Sequence, residues 1–401
     1  MARHALEVAD IVRLHGEEFA QTHALTLMQR KVLRDILRCR TAELGGHVYR
    51  CEGCSYEDNS YNSCRDRHCP KCQGGKAKQW ADDRIDELLP VSYFHTVFTL
   101  PHQLHALTLS NQRLMYDMLF QAVSRTLLAV GERKLHAKLG FLCLLHTWGQ
   151  TLTFHPHLHV LIPGCGIDSR DGSTSRFHAR YLLSDKVLSR VFRGKFVALL
   201  KRAYRNGKLH LNGDLQMLAN EHEFEQLLNE ATAARWVVRT RPPFSGPTVV
   251  LKYLARYTQR VAIANSRLLS LEDGYVSFTY RDYRQGGISK VMRLSASDFL
   301  SRFVLHVLPK SFVRVRYYGF LSRGSKAKAL ALFRAAFGAS PPHPQTPLKS
   351  HSQLCPRCHA APMQLVATLA PLLPLRRPPR SSAQSPPPHP CPAVQTSSQA
   401  A

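Results

Sequence analysis

The sequence predicts an α+β protein in three parts. A mixed helix-and-strand core covers residues 86–335. A small helical and Cys/His-rich module over 1–85 precedes it, and a basic Pro-rich tail over 336–401 follows. Three observations carry this. The middle region alternates between apolar residues at helical spacing and apolar residues at strand spacing. Two CxxC pairs, Cys51/Cys54 and Cys69/Cys72, sit just upstream of it. Beyond Ala339 the composition changes, with 15 of the 24 prolines in the last 63 residues among Ser, Gln and Ala. Such a mixture buries too little apolar surface to fold, so the tail is expected to be largely disordered.

The elements follow in order. Tyr93 to Leu100 (YFHTVFTL) reads as a strand stopped by Pro101. Gln103 to about Leu139 reads as helical. His155 to Ile162 is a second strand, ended by Pro163-Gly164. Ser245-Gly246-Pro247 opens a helix expected to run to about Ala264, with Pro where its missing N–H costs nothing. Tyr275–Tyr283 and Phe312–Phe320 read as further strands.

Charge narrows the partner. The 401 residues carry 54 Lys and Arg against 28 Asp and Glu, a formal net charge of +26. No acidic residue follows Asp298, whereas thirteen basic ones do. Such a field calls for a polyanion, and nucleic acid is favoured over a membrane surface because no basic amphipathic helix stands out. The first thirty residues lack the apolar run of a secretory signal, and the uncharged stretch Leu139–Ile167 is broken by histidines and prolines. A cytoplasmic, DNA-associated protein is expected, and its eleven cysteines are read as metal ligands rather than disulfides.

Fourteen residues separate Cys54 from Cys69. Each CxxC turn can offer two thiolates to one side of a tetrahedral ion, so Cys51, Cys54, Cys69 and Cys72 are expected to hold a structural zinc. Cys39, His47, Cys64 and His68 supply enough further donors for a second zinc. Arg65 and Arg67 stand among the flanking cations as DNA contacts. Cys355-x-x-Cys358 with His359 is only half a knuckle, and Cys391 is the one remaining cysteine near it in sequence.

The second strand carries His155, His157 and His159. Alternate residues of a strand face one way, so these imidazoles would project together while Leu158, Val160 and Ile162 anchor the other face. His157 and His159 are the firm pair for a divalent ion. His155 is the simplest third ligand, with Gln150 and His146 as alternatives. Farther on, Tyr253 and Tyr257 share one face of the expected helix, beside a basic stripe of Lys252, Arg256 and Arg260. A phenol titrates near 10, and adjacent cations favour the phenolate needed for attack.

These residues together resemble the two-tyrosine, His-hydrophobic-His (HUH) transposases of the insertion sequence ninety-one type. The likeness rests on CRTAELGGHVYRCEGC (39–54), YNSCRDRHCPKCQ (61–73), YFHTVFTLPH (93–102), HTWGQTLTFHPHLHVLIPG (146–164), KYLARYTQRVAIANSRL (252–268) and FVRVRYYGFL (312–321). It implies a central antiparallel sheet flanked by helices, with Phe98-Thr99-Leu100 on a strand beside the histidine strand. It implies Mg²⁺ or Mn²⁺ at His157 and His159, in addition to zinc in the N-terminal module. It implies cleavage and rejoining of single-stranded DNA at element ends and targets through 5′-phosphotyrosine links at Tyr253 and Tyr257. A replication initiator with the same nicking chemistry and a non-enzymatic zinc DNA-binding protein are the alternatives.

Overall fold

The computed structural model describes residues 5–73, 87–177, 182–244, 262–338 and 354–372. Its centre is a seven-stranded sheet in which every pairing is antiparallel. The strands are β3 (Tyr93–Thr99), β4 (Ala137–Trp148), β5 (Phe154–Pro163), β6 (Cys165–Asp168), β7 (Thr174–Arg176), β8 (Val238–Phe244) and β12 (Val315–Gly319). They run in the order β7-β6-β4-β5-β3-β8, with β12 also along β4. The expected sheet is therefore present, and β3 does lie beside the histidine strand, with Val97 opposite His159 and Thr99 opposite His157.

Strand alternation sorts the two faces. Phe94 and Phe98 of β3, Phe141, Cys143 and Leu145 of β4, and Leu158, Val160 and Ile162 of β5 enter the main core. The helices Gln112–Leu135, Asp185–Arg205 and Glu221–Ala233 cover that face. Phe192 and Phe196 meet Trp236 with ring centroids 5.1 and 5.5 Å apart. Leu142 and Leu161, of the opposite parity, pack instead with Phe320, Leu330 and Phe333 beneath the helix Lys326–Phe337. The histidines share this second parity, which places them on the face away from the main core.

The helix expected over 103–139 forms as His105–Ser110 followed by Gln112–Leu135. It stops at His136 in the left-handed conformation (φ 49°), and β4 begins at once. The helix expected over 247–264 lies outside the described residues up to 261.

Apolar packing does not follow the chain order. Val8, Ile11, Val32 and Ile36, on the helices Val8–Thr22 and Leu27–Arg38, share a core with Cys39, Cys69 and Cys72. That core also takes in Leu152, Val276, Phe278, Phe299 and Phe303. The last four come from β10 (Tyr275–Asp282) and the helix Ala296–Val304. A small sheet β11-β10-β9, with β9 Leu268–Glu272 and β11 Ile288–Ser295, carries β10. β9 and β10 meet at Asp273-Gly274, both at positive φ (51° and 76°), the backbone a tight hairpin needs.

One part of the tail departs from its expectation. Residues 354–372 are ordered, and β13 (Met363–Leu369) pairs antiparallel with β1 (Gly46–Cys51), whose other neighbour is β2 (Glu57–Tyr61). Ladder hydrogen bonds supply here what the composition cannot, because β13 itself is mostly exposed.

Candidate active site and metal-binding clusters

His146 on β4 stands directly opposite His157 on β5, and Leu144 opposite His159. Donor nitrogens of His146, His157 and His159 all lie within 4.8 Å of one another. The Nε2 atoms of His157 and His159 are 3.1 Å apart. Two cis ligands with bonds of about 2.1 Å to one divalent ion would be about 3 Å apart, so the donor set fits such an ion. The third nitrogen to converge with theirs is that of His146, one of the two alternatives to His155.

His155 shares the parity of His157, and their rings are 5.1 Å apart, but it stays exposed and outside the cluster. β3 ends at Thr99, opposite His157, and the β4 register shifts just after His146. His155 therefore has no strand neighbour to converge with. Its carbonyl instead accepts the Nδ1–H of His157 at 2.6 Å, which leaves the Nε2 lone pair of His157 free to bind metal. Gln150 also points elsewhere, since its Oε1 accepts from the Arg281 backbone and its carbonyl from Arg267.

Burial pushes His157 down to about 3 and His159 well below the usual imidazole range, so both are neutral near pH 7, as a ligand must be. His95 on β3 completes the arrangement. Its Nε2 lies 2.8 Å from Nδ1 of His159, with the rings stacked. For His159 to offer Nε2, its Nδ1–H donates to His95, which burial likewise holds neutral, down to about 3. Trp148 stacks on His146 with ring centroids 4.4 Å apart.

The cysteines regroup. Among the described residues they form two sets of four: Cys39, Cys64, Cys69 and Cys72; and Cys51, Cys54, Cys355 and Cys358. The expected set of Cys51, Cys54, Cys69 and Cys72 does not assemble, because each CxxC meets partners other than the CxxC nearest to it in sequence. Cys39, read only as a second-site donor, ends the helix Leu27–Arg38 and faces Cys64, Cys69 and Cys72. Cys64 Sγ lies 3.8 Å from Cys72 Sγ. Hydrogen bonding from Cys64 lowers Cys39 to about 7, while hydrogen bonding to Cys39 raises Cys64. Four convergent thiols suit a tetrahedral zinc.

Neither histidine proposed for the second site belongs to a set. His68 donates Nδ1–H to Asp66 at 2.8 Å and accepts the Leu308 amide at 3.1 Å on Nε2, tying the module to the chain after the helix Ala296–Val304. His47 lies on β1 beside Tyr49, with its buried Nδ1 unpartnered.

Residues 140–329, which take in most of β4, all of β5 and the tyrosine pair, match the family model described as "Putative transposase". Residues 11–100 match the "Transposase zinc-binding domain". "Putative transposase y4qJ" of Sinorhizobium fredii is 44% identical over 379 residues, which cover 90% of this chain and 95% of that protein. The chain belongs to the insertion sequence ninety-one type transposases. The transposase is also 29% identical over 312 residues to "Transposase for insertion sequence element IS801" of Pseudomonas savastanoi pv. phaseolicola, covering 74% of this chain and 73% of the relative. No described helix is long and apolar enough to cross a membrane.

The cations of the transposase fall in several places. Arg65 is exposed in the left-handed conformation, whereas Arg67 is partly buried and donates to the Phe312 carbonyl at 2.5 Å. Tyr253, Tyr257, Lys252, Arg256 and Arg260 lie outside the described residues. Sequence reasoning missed Arg239 and Arg241. Both are exposed on β8, opposite Val97 and His95, and so share the histidine face. Their two-residue spacing in a strand was the available signal. His95 offered only a lone histidine.

Proposed function

We propose that this transposase cuts and rejoins single strands of DNA at element ends and targets, with tyrosine nucleophiles. The convergence of His146 on β4 with His157 and His159 on β5, on one face of the sheet, carries the reading. These three would hold Mg²⁺ or Mn²⁺, and the ion when bound supplies Lewis-acid polarisation of the scissile phosphate. His95 keeps His159 in the ligating tautomer. The exposed Arg239 and Arg241 border this face and suit phosphate contacts.

Tyr253 or Tyr257 attacks phosphorus through Oη as its phenolic proton leaves. The bond from phosphorus to the 3′ oxygen breaks, giving a 5′-phosphotyrosine and a free 3′ hydroxyl. Attack by a 3′ hydroxyl reverses the step, so the strand is rejoined without an external energy source. Lys252, Arg256 and Arg260 favour the phenolate. The zinc-bearing module, with Arg65 at its surface, adds grip on DNA. The names of both relatives favour transposition over replication initiation.

Incubation of the full chain with Mn²⁺ and single-stranded oligonucleotides of its own element ends tests this. A covalent protein–DNA adduct is expected on a denaturing gel. His146→Ala, His157→Ala and His159→Ala abolish it, and His155→Ala retains it. The Tyr253→Phe/Tyr257→Phe double variant forms none. An adduct that persists in the double variant removes the nucleophile assignment, and DNA binding with no adduct in the parent favours a non-enzymatic binding protein.

A further inference from the structure

The matched zinc-binding domain ends at residue 100, yet one of the two cysteine sets takes half of its donors from residues 355 and 358. We propose that Cys51, Cys54, Cys355 and Cys358 form a second structural zinc site that fastens residues 354–372 onto β1.

The geometry is that of two facing knuckles. Cys51 Sγ lies 3.6 Å from Cys358 Sγ, and Cys54 Sγ lies 3.6 Å from Cys355 Sγ, with all four sulfurs within 4.8 Å of one another. Four thiolates at about 2.3 Å from a tetrahedral ion stand about 3.8 Å apart, whereas disulfide sulfurs stand about 2.05 Å apart. All four thiols are free of disulfides. The set therefore surrounds a space of zinc size.

Backbone amides orient both halves. Gly53 and Cys54 donate to Cys51 Sγ at 3.3 and 3.4 Å, and Arg357 donates to Cys355 Sγ at 3.4 Å. Such N–H···S bonds hold thiolates in place before a metal arrives. The second knuckle is closed by its own backbone bonds, from Cys355 N–H to the Ala361 carbonyl and from His359 N–H to the Cys355 carbonyl, both 2.9 Å. His359 is exposed and outside the set, and Cys391 is not needed to complete it.

A fastening is needed here. β13 pairs with β1 from Gly46↔Leu369 to Cys51↔Met363, but most of its side chains are exposed, including Leu365 and Val366. Little apolar burial holds this strand, so a metal at its N-terminal side supplies what the core does not.

Zinc counting on the purified full chain tests the site, and the count does not depend on strand cutting. Two zinc ions per chain are expected. Cys355→Ser/Cys358→Ser and Cys51→Ser/Cys54→Ser each retain one, while Cys391→Ser retains two. Cys358→His, which keeps a ligand, also retains two and guards against loss through misfolding. Limited proteolysis supplies a second measurement: the Cys355→Ser/Cys358→Ser variant is cut before residue 354 faster than the parent, with an unchanged circular dichroism spectrum. One zinc in the parent, or two in Cys355→Ser/Cys358→Ser, overturns the proposal.

Discussion

His157 and His159 were legible because two imidazoles two residues apart on a strand must share a face. Their third partner was not, because sequence gives parity along one strand and no register across to the next. The pairing of β4 with β5 selects His146, and the end of β3 leaves His155 outside. The cysteines teach the same lesson more strongly: CxxC spacing identifies a knuckle but carries no address for its mate. One buried histidine outside the cluster has a measurable effect. His306 donates Nε2–H to the Leu152 carbonyl at 3.0 Å, and Thr147 Oγ1 lies 3.2 Å from its Nδ1. Burial pushes it down to about 4, against about 6.5 when unfolded. The folded state therefore binds fewer protons between those values. Its stability is full above about pH 6.5 and falls as the pH drops toward 4, by up to about 1.4 kcal/mol per pH unit from this residue. His306→Gln, which keeps a donor for Leu152, is expected to show a shallower decline in urea unfolding across that window. Identical slopes in parent and variant would remove His306 as the cause.

At the scale of elements, strands with one polar face or clear punctuation were readable, as β3, β5, β10 and β12 show. β4 was not distinguished as a strand, because it is buried on both faces over most of its length and its apolar run has no alternation to read. It is also the strand that positions His146, so its edges matter. β12 pairs along it from Val315↔Leu144 to Gly319↔Gly140. Gly319 sits at φ +60°, where a side-chain carbon would lie 1.7 Å from the Leu139 carbonyl oxygen. No rotamer relieves a clash with backbone, so Gly319→Ala should cost about 3 kcal/mol or more. Chemical denaturation would register this, and an unchanged midpoint would mean that the β12 edge adapts freely. The helix Leu27–Arg38 is capped reciprocally: Thr26 accepts from the Gln29 amide, and the Gln29 side chain accepts the Thr26 N–H.

Across the whole molecule the excess of cations was plain from composition, and it leads to a prediction of its own. Affinity for single-stranded DNA should fall linearly on logarithmic axes as salt rises, by about 0.7 for each phosphate neutralised. Fluorescence anisotropy across a salt series measures the slope, and Arg239→Ala/Arg241→Ala should flatten it. An affinity indifferent to salt would refute the electrostatic account. Composition suggests three parts, but it carries no information on packing across them, because the second core draws on helices near the start and a hairpin far along the chain. The pairing of β1 with β13 has a further consequence for synthesis. Cys51 and Cys358 are 307 residues apart, so a ribosome makes β1 and β2 long before the strand that covers the remaining edge of β1. During that interval the nascent chain presents an open strand edge, the kind of surface that recruits other chains. A copy of the gene cut short before codon 355 would leave that edge open permanently, so its product should tend to self-associate.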